Sequence, residues 1–172
     1  MQDGIKLLYS PEEIKKIVRR LAREVEADLA GKDPVLIGVL KGAFVFLSDL
    51  AREIDAPVEV DFIQAASYGL RDEPSSEVRI KNDITADIKG RDIIVIEGII
   101  DRGRTVRAVI EHLKKKGPAS IKVCTLLLRD SHAGMAIDYA GARIDEGFVV
   151  GYGMDYKEGY RNLPGVYILE PK

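Results

Sequence analysis

Tryptophan is absent from this 172-residue sequence, which has one cysteine, two histidines and 6% aromatic residues. The single thiol, Cys124, has no intramolecular disulfide partner, and one Cys with two His cannot supply a four-ligand Cys/His zinc site. Long apolar runs are missing too: uncharged stretches such as Phe62–Leu70 and Gly147–Met154 fall far short of the ~18 residues a membrane span requires. The opening Met-Gln-Asp-Gly-Ile-Lys-Leu-Leu lacks a basic-then-apolar signal pattern, so the expectation is a reduced, cytoplasmic, soluble protein with no membrane partner. Neither sign of charge dominates: 26 Lys and Arg against 28 Asp and Glu leave 26 − 28 = −2. That balance excludes a bulk electrostatic drive onto nucleic acid and leaves only local basic patches. What is present, 46% hydrophobic and 31% charged residues, is the balance of a globular domain. A chain of this length folds as one domain and buries roughly 70% of its unfolded surface without staples.

Apolar spacing then gives the order of elements. Ser10-Pro11-Glu12-Glu13 reads as a capped helix start, followed by Ile14, Ile17, Val18, Leu21 and Val25 at helical spacing, with Gly31 as the stop. Val35–Leu40 is a short apolar run, read as a strand buried on both faces. Ala43–Ile54 reads as helical, and Val58–Ser67 as the next strand. Tyr68–Asn82 has no apolar period and reads as a polar loop, either a lid or the tip of a β-hairpin. Asp92–Glu97 is another buried strand. Val106, Val109, Ile110 and Leu113 mark a helix whose closing lysines, Lys114–Lys116, suit its dipole better than they suit nucleic acid. Ser120–Leu128, holding Cys124, and Phe148–Tyr152 are two further strands. Strand and helix alternate, so the fold class is α/β with a mainly parallel twisted sheet flanked by helices.

Ligands of open parallel sheets bind beyond the carboxyl ends of the strands. One such end stands out: Glu97-Gly98-Ile99-Ile100-Asp101-Arg102-Gly103-Arg104-Thr105, between a buried strand and a helix start. Small residues there let N–H groups face an anion, which the helix dipole also favours. Thr105 can cap the helix or donate its hydroxyl, and Arg102 and Arg104 add positive charge. Glu97 and Asp101 can hold hydroxyls, a metal or a proton in transfer, although an ordinary turn with an Asp cap uses the same residue types.

This segment resembles the phosphoribosyl-diphosphate (PRPP) binding motif of type I phosphoribosyltransferases. Three others resemble the hypoxanthine-guanine branch of that family: Val39-Leu40-Lys41-Gly42-Ala43-Phe44 its pyrophosphate loop, Ser67-Tyr68-Gly69 the start of its lid, and Phe148–Tyr156 with Tyr160–Pro164 its base-binding strand and closing loop. The four lie in register over most of the chain. The resemblance implies a core of roughly residues 10–130 and a small hood, largely C-terminal, of roughly 1–9 and 131–172. It implies transfer of the 5-phosphoribosyl group from PRPP to a purine such as hypoxanthine or guanine, with Mg²⁺ bound, and a homodimer or homotetramer. By position, Asp101 accepts the purine N7 proton. Glu97 faces the ribose hydroxyls and metal, and Asp155 is the second metal ligand. Arg102, Gly103, Arg104 and Thr105 hold the 5′-phosphate. Lys41, Gly42 and Arg161 contact pyrophosphate, with a cis peptide implied at Leu40–Lys41. Phe148 stacks on the base, Val149 offers backbone groups to its edge, and Ser67 and Tyr68 open the lid, although Phe148 and Val149 fit a core strand equally well.

Three positions depart from the pattern. Gly98 stands where the family has a second acid, Arg102 where it has Ser or Thr, and Arg129 where it has a Lys that donates to the purine 6-oxo group. The missing acid leads to the expectation that Gly98→Asp lowers the KM for PRPP. The Arg102–Arg107 stretch also resembles the pyrimidine-operon attenuation regulator, an RNA-binding protein of the same fold that makes uridine monophosphate. A third reading, a nucleotide- or PRPP-binding regulator without chemistry, rests on the three departures. The retained Asp101, Lys41, Asp155 and Arg161 favour the purine enzyme.

Overall fold

Ser10 starts the first helix through a reciprocal cap: the Glu13 N–H donates to Ser10 Oγ (3.3 Å) and the Ser10 N–H to Glu13 Oε2 (2.8 Å), with Pro11 at the first helical position. The computed structural model describes residues 4–68, 77–129, 131, 134–145 and 147–170. In chain order its elements are β1 (Ile5–Tyr9), α1 (Pro11–Leu29), β2 (Val35–Leu40), α2 (Phe44–Arg52), β3 (Glu59–Tyr68), β4 (Glu77–Asn82), β5 (Asp92–Ile100), α3 (Arg104–Lys114), β6 (Ser120–Arg129), β7 (Tyr139–Ile144), β8 (Phe148–Val150) and β9 (Val166–Leu169).

Six strands form the main sheet in the order β4-β3-β2-β5-β6-β7, parallel throughout except for the antiparallel β3–β4 pair. Both faces are covered, which explains the uninterrupted apolar runs. Leu36, Ile94, Ile96 and Cys124 pack toward α1 and α2, while Val35, Ile37, Val39, Ile93 and Val95 pack toward α3. The remaining strands make a separate antiparallel sheet, β1-β9-β8. No helix among the described residues is long and apolar enough to cross a membrane.

Two readings change, and the strand at Phe148 is shorter than expected, ending at Val150. The polar stretch ending at Asn82 is a strand over Glu77–Asn82: Val78 and Ile80 are too few to set a period alone, and pairing with β3 supplies what the pattern lacks. Its Arg79 and Lys81 charge an edge that would otherwise invite another strand. The turn of this hairpin, residues 69–76, falls outside the described residues, as does most of the expected lid. The strand at Phe148 belongs to the small sheet, because it pairs only with β9. The main sheet runs past residue 130 to Ile144, since β7 lies beside β6 in register with Leu128 and Arg129.

Candidate active site

Strand order reverses between β2 and β5: the chain leaves β2 toward β3 on one side and later returns to β5 on the other. The diverging connections open a crevice beyond the carboxyl ends of these two strands. Into it run the loop after β2 (Lys41–Ala43) and the segment from Glu97 to Thr105, and the turn after β8 closes over it. The Leu40–Lys41 peptide is cis.

Glycine backbone brings the three segments together. A Cβ on Gly98 would stand 2.9 Å from the Gly42 carbonyl oxygen and 3.5 Å from Met154 Cγ, and one on Gly153 would stand 2.7 Å from that same oxygen. The Gly42 carbonyl is therefore wedged between β5 and the turn after β8, and neither wall has room for a side chain. The absent second acid leaves no gap at Gly98. A side chain there would have to displace the Gly42 carbonyl, which sets a steric cost against the expected gain of an Asp toward PRPP.

Glu97 is buried beside this contact and accepts the Gly98 N–H at 2.9 Å (Oε1). Burial pushes its carboxyl up to about 8 from 4.5, against a smaller downward pull from the Gly98 N–H. The folded protein thus binds a proton that the unfolded chain releases above pH 4.5, so stability falls as pH rises from 4.5 toward 8. Glu97→Gln keeps the acceptor and removes the charge. Ligand-free, it is expected to match the native protein near pH 4.5 and exceed it by on the order of 3 kcal/mol near neutrality. Denaturant melts across that range check this, and a constant difference would show that Glu97 ionises freely.

Asp101 follows at the exposed end of β5, where the Ser131 hydroxyl donates to its Oδ1 at 2.5 Å. Gly103, at φ 71°, is the N-cap of α3, so Thr105 sits inside the first turn and does not cap it. A left-handed cap favours glycine and sends the chain straight from the strand into the helix. The first helical bond runs from the Arg107 N–H to the Gly103 carbonyl, leaving the preceding amides without intrahelical partners for an anion. Arg102 is exposed, and Arg104 and Thr105 are half-buried beside those amides.

Across the crevice, Arg161 donates from Nη1 to the Gly153 carbonyl (2.8 Å), and its Nη2 pairs with Asp155 (2.8 Å) and Glu158 (3.3 Å). Lys41 pairs with the same Glu158 carboxylate at 2.9 Å. Glu158, at φ 64°, thus holds the two cations expected to face pyrophosphate. Sequence reading missed it, as it missed Ser131. Glu158 had one signal, its place between Asp155 and Arg161; Ser131 had none.

Phe148 is 48% exposed, its ring edge-on to Tyr156 with centroids 5.4 Å apart, whereas Val149 is buried. The ring is therefore no core residue and is accessible from solvent. Arg129, at the end of β6, donates to the carbonyls of Asp145 (2.7 Å) and Gly147. Ser67 and Tyr68 end β3, paired with Val78 and Glu77. Asp155 accepts from the Glu158 N–H (2.9 Å), and the described residues contain no cluster of three metal-ligating side chains. A lone carboxylate of this kind fits Mg²⁺ that arrives on phosphate oxygens and keeps its waters.

Comparison with known proteins identifies the family. The phosphoribosyl transferase domain family matches residues 5–157. The hypoxanthine-guanine phosphoribosyltransferase of Bacillus subtilis is 43% identical over 168 residues, 96% of this chain and 93% of that protein. The bifunctional protein TilS/HprT of Listeria innocua is 43% identical over 169 residues, 97% of this chain, which spans only 26% of that longer protein. A crystal structure of a hypoxanthine-guanine phosphoribosyltransferase from Bacillus anthracis superposes with a TM-score of 0.91 at 40% identity, covering 95% of this chain and 98% of that one.

Proposed function

This chain belongs to the phosphoribosyl transferase domain family, and from that premise we infer that it transfers the 5-phosphoribosyl group of PRPP to a 6-oxopurine, hypoxanthine or guanine, releasing pyrophosphate. The observation that carries this reading is the convergence of three segments on one crevice: the Lys41–Gly42 loop, the Glu97–Thr105 turn and the Gly153–Arg161 turn. Each brings groups suited to one part of the reactants. The amides at the start of α3, with Thr105 and the Arg102 and Arg104 charges, suit the 5′-phosphate. Lys41, Gly42 and Arg161 suit pyrophosphate, which must displace Glu158 from both cations. Phe148 and the backbone of Val149 suit the purine face and edge, and Asp101 suits the N7 proton.

In the reaction the purine N9 bonds to C1′ as the bond from C1′ to the pyrophosphate oxygen breaks. The N7 proton passes to Asp101. Positive charge builds on the ribose ring in between, so the protein's part is mainly positioning and electrostatics. Asp155, and Glu97 once it gives up its proton, would hold Mg²⁺ carried on the substrate, which would neutralise the departing pyrophosphate. We also propose self-association as a dimer or tetramer, supported by the exposed Phe44, Val60 and Phe62.

A pyrophosphate-release assay with PRPP and Mg²⁺, running hypoxanthine, guanine, xanthine, adenine and uracil side by side, tests the function. Turnover is expected with a 6-oxopurine and is expected to stop on chelation of Mg²⁺. Turnover with uracil alone would overturn the purine reading. Silence with all five bases, while GMP still raises the Tm, would make this a binding protein without chemistry.

A further inference from the structure

We infer that Arg129 is a positioning residue for base recognition, gripping the backbone that leads into the base platform; this rests on the function proposed above. Arg129 ends β6 in register with Ile144 of β7, and from there its guanidinium reaches the link between β7 and β8. Nη1 takes the Asp145 carbonyl at 2.7 Å and Nη2 takes the Gly147 carbonyl, the peptide oxygen directly before Phe148. β8 is only three residues long and pairs with β9 alone. Its entry from the main sheet therefore depends on this fork. The fork sets where the exposed Phe148 ring and the Val149 backbone stand relative to Asp101, which lies on the main sheet.

Arginine suits this role and lysine does not. A planar guanidinium offers paired donors at fixed separation and spans two carbonyls, whereas an ammonium is a single point on a flexible stem. A side chain whose main part is to donate to the 6-oxo group works nearly as well as lysine. The structure assigns Arg129 the carbonyls of its own chain.

The test compares the native protein with Arg129→Lys and Arg129→Met, measuring the Kd of IMP and of purine riboside 5′-monophosphate, which lacks the 6-oxo group. Amide exchange at residues 147–150 is followed in the ligand-free protein. Both variants are expected to weaken both nucleotides alike, by about tenfold, and to quicken exchange at these amides, because charge-assisted hydrogen bonds to two carbonyls are lost or halved. The KM for PRPP is expected to stay within about twofold, as PRPP is held from other segments. Loss confined to IMP, native-like IMP binding by the Lys variant, or unchanged exchange would each overturn the inference. Native protein that binds neither nucleotide would instead overturn the function on which it rests. Quickened exchange would then leave Arg129 a strut with no part in base recognition.

Discussion

Asp101→Asn is expected to lower kcat by roughly 10²–10⁴-fold while the Kd of IMP changes by no more than about threefold. The exchange is nearly isosteric, so the loss should be chemical. Ser131 donates its hydroxyl to Oδ1, so in the proposed reaction Oδ2 is the oxygen that would accept the N7 proton. In the amide, one oxygen still accepts from Ser131, and the NH₂ group then turns toward N7. A donor there cannot receive the N7 proton. Single-turnover rates with hypoxanthine, read beside calorimetric binding of IMP, separate the two effects. Equal losses in rate and affinity would show that Asp101 binds the base without moving its proton.

Gly98→Asp is expected to raise the KM for PRPP by at least about tenfold and to cost roughly 1–3 kcal/mol of stability, the usual penalty of forcing volume into a filled site. The new Cβ meets the Gly42 carbonyl oxygen at 2.9 Å, and that oxygen is already pressed from the other side by Gly153. Relief would have to come from backbone, since no flexible side-chain end is in the way on that side. The Lys41–Gly42 loop would shift, and with it the groups that face pyrophosphate. Gly98→Ala isolates the steric part, so Ala and Asp should show similar increases in KM. A lowered KM in the Asp variant would mean that the loop yields and that the added carboxylate reaches the ribose hydroxyls.

The parallel core was legible because burial on two faces leaves an unmistakable pattern. Val35–Leu40 matches β2 residue for residue, and the alternating sides of Val35 and Leu36 meet α3 on one face and α1 with α2 on the other. The α1 start was equally plain, since Ser10, Pro11 and Glu13 settle it among themselves. Strands stabilised mainly by a neighbour left little trace. β4 has two alternating apolar residues, and β7 carries Gly141 and Arg143. Such segments are strands because of what they pair with, and pairing partners are distant in sequence.

The same division holds at the site. The sequence alone determined which residues of the Glu97–Thr105 turn and the Lys41–Gly42 loop carry charge, small backbone and hydroxyl groups, because chemistry resides in residue type and short spacing. Tertiary structure decided what each can reach. It turned the missing acid at Gly98 into a packing requirement, gave Asp101 its Ser131 partner, and set Glu158 between Lys41 and Arg161. It also turned Arg129 onto two carbonyls of its own chain. These contacts join residues brought together only by the reversal of strand order at β2 and β5 and by the small sheet that closes over it. Distances across a fold follow from how its elements pack, and no local spacing encodes them.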